Sequence, residues 1–124
     1  MSAAVVRWQI VTPRPGELCD FYEKVFGWRT SRDNPLGVRE VRTHAAGTPA
    51  GSVWPGPPDA PTFVQLFLEV PNVAAAVAAV EGRGGSVIVP RSVLPQGEVM
   101  AIVRDPFGLS LGLMEPVASS PETT

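Results

Sequence analysis

Few side chains in this sequence could do chemistry. There is one cysteine, Cys19, and one histidine, His44. A cysteine nucleophile needs a nearby base, and none is visible around Cys19, so it reads as a half-buried inert thiol at the edge of a helix. A single thiol also excludes an intrachain disulfide. His44 alternates with Arg42 and Glu40, which puts all three on one face of a strand. A His–Glu pair there is the place for a displaced metal site; the plainer reading is a surface or hydrogen-bonded histidine. Glu40, Glu69 and Glu98 could serve as bases if burial raised their pKa values. The arginines outnumber lysine nine to one and are scattered, and net charge is −2.

That charge balance sets nucleic acid and anionic membrane aside as partners. No apolar run reaches the length of a membrane span and the N-terminus lacks a signal-peptide pattern, so a cytoplasmic protein is expected. The 124 residues, 44% hydrophobic and 18% charged, suffice for one domain with a real core.

The elements that position these residues follow from periodicity. Val5 to Val11 reads as a strand, with Trp8 and Ile10 on one face and Arg7, Gln9 and Val11 on the other. A helix follows from about Pro15 to Phe26. Leu18, Phe21, Tyr22, Val25 and Phe26 form the stripe expected to lie on a core, and Gly27 stops the helix. Short strands are expected at Trp28 to Ser31, Val38 to His44 and Ala50 to Trp54, the first two separated by turn residues at 32–37. Pro55 to Pro61 carries four prolines, cannot pair in a sheet and reads as a linker. A second half begins with a strand at Thr62 to Val70. Asn72 caps a helix whose core stripe is Val73, Ala76, Val77 and Val80. Strands at Ser86 to Pro90, Glu98 to Arg104 and Leu109 to Glu115 complete it, the last two joined by Asp105-Pro106-Phe107-Gly108. The expected organisation is module 1 over 5–54, linker 55–61, module 2 over 62–115 and a polar tail over 116–124. Each module runs strand, helix, three strands. Arg7 and Gln65 stand six residues before Pro13 and Pro71, an offset of 65 − 7 = 58. The repeat is one of pattern rather than of letters.

Three segments, in order, carry a family resemblance. Phe21-Tyr22-Glu23-Lys24-Val25-Phe26-Gly27-Trp28 resembles the "FY..vFGW" helix end of the vicinal oxygen chelate superfamily, which includes glyoxalase I, bleomycin-resistance proteins and extradiol dioxygenases. Val70-Pro71-Asn72-Val73, followed by an Ala-rich helix and Gly84-Gly85, resembles the start of its second module. Asp105 to Leu113 resembles its "DP.G" C-terminal strand. The resemblance implies an α+β fold of two βαβββ modules forming a curled mixed sheet round a cavity, and a homodimer. It also implies four metal ligands on the first and last strands of each module. In this sequence those positions fall on Arg7, on Gln65, near Gly51 to Val53, and on Gly112. An arginine has no lone pair to offer and repels a cation; glycine has no side chain. The expectation is therefore no metal and no cofactor.

If Trp8, Ile10, Leu66, Leu68, Val70, Leu109, Leu111 and Leu113 face the helices, the opposite parity faces the cavity. That set contains Arg7, Gln9, Gln65, Phe67, Glu69, Glu98, Met100, Gly112 and Met114, with Trp54 as an aromatic wall beside the linker. Gly112 would enlarge the cavity. Arg7 would hold an anion or carbonyl oxygen of a ligand, or pair with Glu69 or Glu98. Two functions are open: a small organic molecule bound without metal, or a metal-independent lyase or isomerase using a buried Glu as base.

Overall fold

The strand–helix–three-strand pattern is present twice in the computed structural model, which describes residues 2–32, 34–43, 51–95 and 97–116. The first copy comprises β1 (Ala4–Thr12), α1 (Pro15–Phe26), β2 (Arg29–Thr30), β3 (Arg39–Arg42) and β4 (Gly51–Pro55). The second comprises β5 (Phe63–Glu69), α2 (Val73–Gly82), β6 (Ser86–Val93), β7 (Val99–Arg104) and β8 (Ser110–Met114). In each copy the first and last strands pair in parallel, and the rest of the ladder is antiparallel: β2-β3-β4-β1 and β6-β7-β8-β5. The helix makes the crossover that a parallel pair requires. The two helices begin 58 residues apart (73 − 15 = 58), the offset read from the sequence. By their contacts the residues form two compact units, Arg7–Gln65 and the remainder.

In the Arg7–Gln65 unit the core is Ile10, Cys19, Val41 and Val53, with Trp8, Leu18 and Trp28 against them. This corrects the expected helix face. Cys19 is 1% exposed rather than half-buried, whereas Phe21, Val25 and Phe26 are 53%, 54% and 64% exposed. Apolar residues cover a wide arc of α1, and only the Leu18–Cys19–Tyr22 side of it meets the sheet. The exposed rings still stack. Tyr22 lies 5.7 Å from Phe26 and 4.6 Å from Trp28, and Trp28 lies 5.5 Å from Trp8, so an aromatic series runs from the sheet outward. Gly27, at φ 72, closes α1 in the left-handed conformation that glycine adopts without strain. Glu23 accepts from the backbone N–H and hydroxyl of Thr30, tying α1 to β2.

In the other unit the core is Val73, Ala101, Val103 and Leu113, with Leu68, Val70, Ala76, Val77, Val80 and Leu111 packed on it. The α2 stripe packs as its spacing predicts. Leu66 and Leu109 do not join the core: they are 40% and 56% exposed. Leu66 stands at the middle of β5, and Leu109 just before β8. Asn72 caps α2 by accepting from Ala75 N–H at 2.9 Å, and Glu115 accepts from Val73 N–H at 2.9 Å. Two of the four donors that a helix start leaves open are thereby paired.

The same turn is used twice. Asn34-Pro35-Leu36-Gly37 precedes β3, and Asp105-Pro106-Phe107-Gly108 joins β7 to β8. In each, the Asn or Asp side-chain oxygen accepts from the backbone N–H groups two and four residues on. Strand β6 runs past Pro90, the expected end, to Val93, with register shifts in its pairing to β7. A proline lacks the ladder donor, and such shifts are how a strand accommodates it. His44, and with it the displaced His–Glu site, lies outside the described residues. No described helix is long and apolar enough to cross a membrane.

Candidate functional site

Register determines which candidate residues share a face. In the Arg7–Gln65 unit, Gln9 stands opposite Ser52, and Val11 opposite Trp54, across the parallel β1–β4 pair. Opposed residues share a face, so Arg7, Gln9, Val11, Ser52 and Trp54 form one strip, turned away from Trp8, Ile10 and α1. Glu40 stands opposite Ser52 on its other side, across β3–β4, and is exposed. Gln9 is 7% exposed, Ser52 3% and Gln65 4%. Polar residues so deep on a sheet face are uncommon unless bonded. Ser52 is bonded: Trp54 Nε1 donates to its Oγ at 2.9 Å. Gln9 has no side-chain hydrogen-bond partner among the described residues. Half-buried Arg7 has no ion-pair partner among them either.

In the other unit, Phe67 stands opposite Gly112 and Glu69 opposite Met114 across β5–β8. Met114 in turn stands opposite Met100, and Gly112 opposite Ile102, across β7–β8. Phe67, Glu69, Met100, Gly112 and Met114 therefore share a face, as the alternation predicts. Glu98 precedes β7 and is half-buried. The expectation that Gly112 opens space is overturned. A Cβ at Gly112 would meet the Phe67 ring, with Cγ at 2.7 Å, so the ring already fills the place of a side chain there. Phe67 is itself 5% exposed. Glu69 borders an open pocket of about 330 Å³ with Ala3, Pro71 and Ala75, beside the start of α2.

The four positions implied for metal ligands do not suit a divalent cation. Arg7 is cationic, the space at Gly112 is taken by Phe67, Gln65 is an amide, and Ser52 is engaged with Trp54. Among the described residues no three His, Cys, Asp or Glu side chains gather. Ser52 is the site residue that the sequence reading missed. Its signal was present: it alternates with Gly51 and Val53 and shares parity with Trp54.

Residues 4–113 match the Glyoxalase/Bleomycin resistance protein/Dioxygenase superfamily, and the chain belongs to it. Among solved structures, it is similar to a hypothetical protein, BH1468, from Bacillus halodurans C-125, with 13% identity over 97% of this chain and 99% of that one, at a TM-score of 0.68. It is also similar to a Streptomyces coelicolor methylmalonyl-CoA epimerase variant in complex with 2-nitronate-propionyl-CoA (16% identity, 94% and 100% covered, TM-score 0.62). The Mycobacterium tuberculosis methylmalonyl-CoA epimerase is a third (15% identity, 95% and 94% covered, TM-score 0.58). At these identities the likeness is one of fold. No curated protein matches the chain.

Proposed function

We propose that this protein binds a small organic molecule bearing an anionic group, held by Arg7 on the β1–β4 face, without a divalent metal. The observation that carries this reading is Arg7 itself: a half-buried arginine with no ion pair to a described residue of the Arg7–Gln65 unit. Burying part of a charge unpaired is costly, and a bound carboxylate or phosphate offsets that cost through a bidentate contact. Trp54 and Val11 supply apolar surface on the same strip, the mixture found in small-molecule sites. The test is NMR titration of the untagged protein with benzoate and 3-phenylpropanoate, with elemental analysis alongside. Both probes are expected to shift resonances of the strip, and Arg7→Ala to weaken binding about tenfold, the size of a charged hydrogen bond. A stoichiometric divalent metal in the purified protein, or probe binding indifferent to Arg7, overturns the proposal.

A second reading makes Glu69 the base of a metal-independent lyase or isomerase. It rests on the position of Glu69, half-buried between Met114 and an apolar pocket, and on the epimerases among the similar folds. Under it Glu69→Gln abolishes turnover and spares binding.

A further inference from the structure

We infer that the ligand is an organic dianion whose two anionic groups lie two strand spacings apart, one held by Arg7 and the other between Arg29 and Arg42. This deepens the proposed function and rests on Arg7 holding an anion. The three arginines form a row across the β2-β3-β4-β1 ladder, and the row follows from register. Trp8 of β1 and Val41 of β3 both stand opposite Gly51 of β4. Strand β1 runs with β4 and β3 runs against it, so the residue before Trp8 and the residue after Val41 lie at one level. Those residues are Arg7 and Arg42. Trp8 and Val41 belong to the core beneath α1, so both arginines rise from the opposite face. Arg29 of β2 stands directly opposite Arg42 and extends the row by one strand.

Charge says what the row takes. Among the described residues of the unit, the acid on this face is Glu40, level with Ser52 and therefore one step off the row. Glu17 and Asp20 pair with Arg14 and Lys24 on α1, Glu23 is bonded to Thr30, and Asp59 lies between β4 and β5. Three guanidiniums and one carboxylate leave this face with a net charge of +2 (3 − 1 = 2), which a dianion matches. Arg29 is exposed and has no ion pair to a described residue of the unit. Like charges directly opposite across a strand pair repel. An anion seated between Arg29 and Arg42 replaces that repulsion with two attractions, and carboxylate and phosphate both suit the guanidinium fork.

Spacing sets the ligand's length. Arg29 and Arg42 stand on adjacent strands and converge on one small anion. Arg7 and Arg42 are separated by β4, so they stand two spacings, about 10 Å, apart and serve the two ends of a longer molecule. An extended saturated chain of nine carbons with a carboxylate at each end spans about the same 10 Å, given bonds of ~1.5 Å.

The probes are nonanedioate and its monomethyl ester, with butanedioate and its monomethyl ester as the short pair that cannot reach both seats. Affinities are measured on the full chain by NMR titration. Nonanedioate is expected to bind at least about fivefold more tightly than its half ester, the size of a second, exposed charge contact, and butanedioate only about twofold, the advantage of having two equivalent ends. The double variant Arg29→Ala, Arg42→Ala is expected to bring the nonanedioate preference down to that of the short pair, and Arg7→Ala to do the same. Arg29 and Arg42 are exposed, so the double variant keeps its fold. Equal preferences for the long and short diacids overturn the inference, because net charge rather than a second seat then accounts for them. So does a long-diacid preference that survives the double variant. If the half ester of nonanedioate still binds through Arg7, the proposed function stands. Failure of all four probes to bind overturns both.

Discussion

The two repeats use one packing device on opposite faces. Each sets an aromatic side chain over a glycine across its parallel strand pair: Trp8 over Gly51 in β1–β4, and Phe67 over Gly112 in β5–β8. Trp8 points toward α1 and joins the core with Ile10 and Trp28. Phe67 points away from α2, onto the face shared with Glu69 and Met114. The consequence is a division of roles. In the first repeat the ring is spent on the core and the other face keeps Arg7, Gln9, Ser52 and Trp54. In the second the ring covers the face on which the superfamily resemblance implies a metal ligand.

Placing a methyl group under each ring tests this comparison most severely. At Gly51 the added Cβ would meet the Trp8 ring and also the Trp8 carbonyl oxygen at 2.5 Å, which is backbone and cannot swing aside. At Gly112 its three nearest neighbours would all be ring atoms of the Phe67 side chain. Gly51→Ala is therefore expected to cost about 3 kcal/mol or more in chemical denaturation, and Gly112→Ala about 1–3 kcal/mol, the usual range for overpacking. Combining Gly112→Ala with Phe67→Leu should recover part of that loss, because the smaller side chain vacates the methyl's place. Equal costs at the two glycines, or no coupling between 112 and 67, would break the equivalence drawn here.

The helix starts differ in the same instructive way. α1 begins behind Arg14, which gives no side-chain cap, with Pro15 fixing the first turn. α2 begins behind Asn72, whose side chain accepts from Ala75 N–H. Asn72→Ala should lower stability by about 1 kcal/mol, whereas Arg14→Ala should cost well under that. The Arg14–Glu17 pair that the latter removes is exposed on both sides.

What could be read from the sequence was what short-range periodicity encodes. Both helices, the Asn72 cap, the Gly27 stop and the two proline–glycine turns depend on residues within a few positions of one another. The parity of Gln9, Phe67, Glu69 and Met114 also followed, since alternation is local. What could not be read depends on pairing across the chain. The stripe on α1 is wide enough for Phe21 and Val25 to satisfy a helical pattern and still miss the sheet; only β1, β3 and β4, arriving from elsewhere, select Cys19 instead. Gly112 looked like open space because the ring that fills it comes from residue 67, set there by register. Ser52 was passed over because its importance lies in facing Gln9 on a strand some forty residues away in sequence.

The smallest expected effect concerns the two cores. Cys19 and Val77 are equivalent through the repeat offset (19 + 58 = 77), so the first core holds a titratable group where the second holds none. Burial pushes the Cys19 thiol pKa up, against the smaller opposing influence of the Arg39 charge. A raised folded pKa means that the folded state keeps its proton where the unfolded chain has lost it. Stability is therefore fully present below the unfolded thiol's value, about 8.5, and declines as pH rises above it. Cys19→Val makes the first core like the second. Denaturation midpoints compared between pH 7 and pH 10 should fall further for the wild-type protein than for the variant. Parallel pH profiles would mean that Cys19 ionises as readily folded as unfolded, and that its burial at 1% exposure carries no penalty for charge.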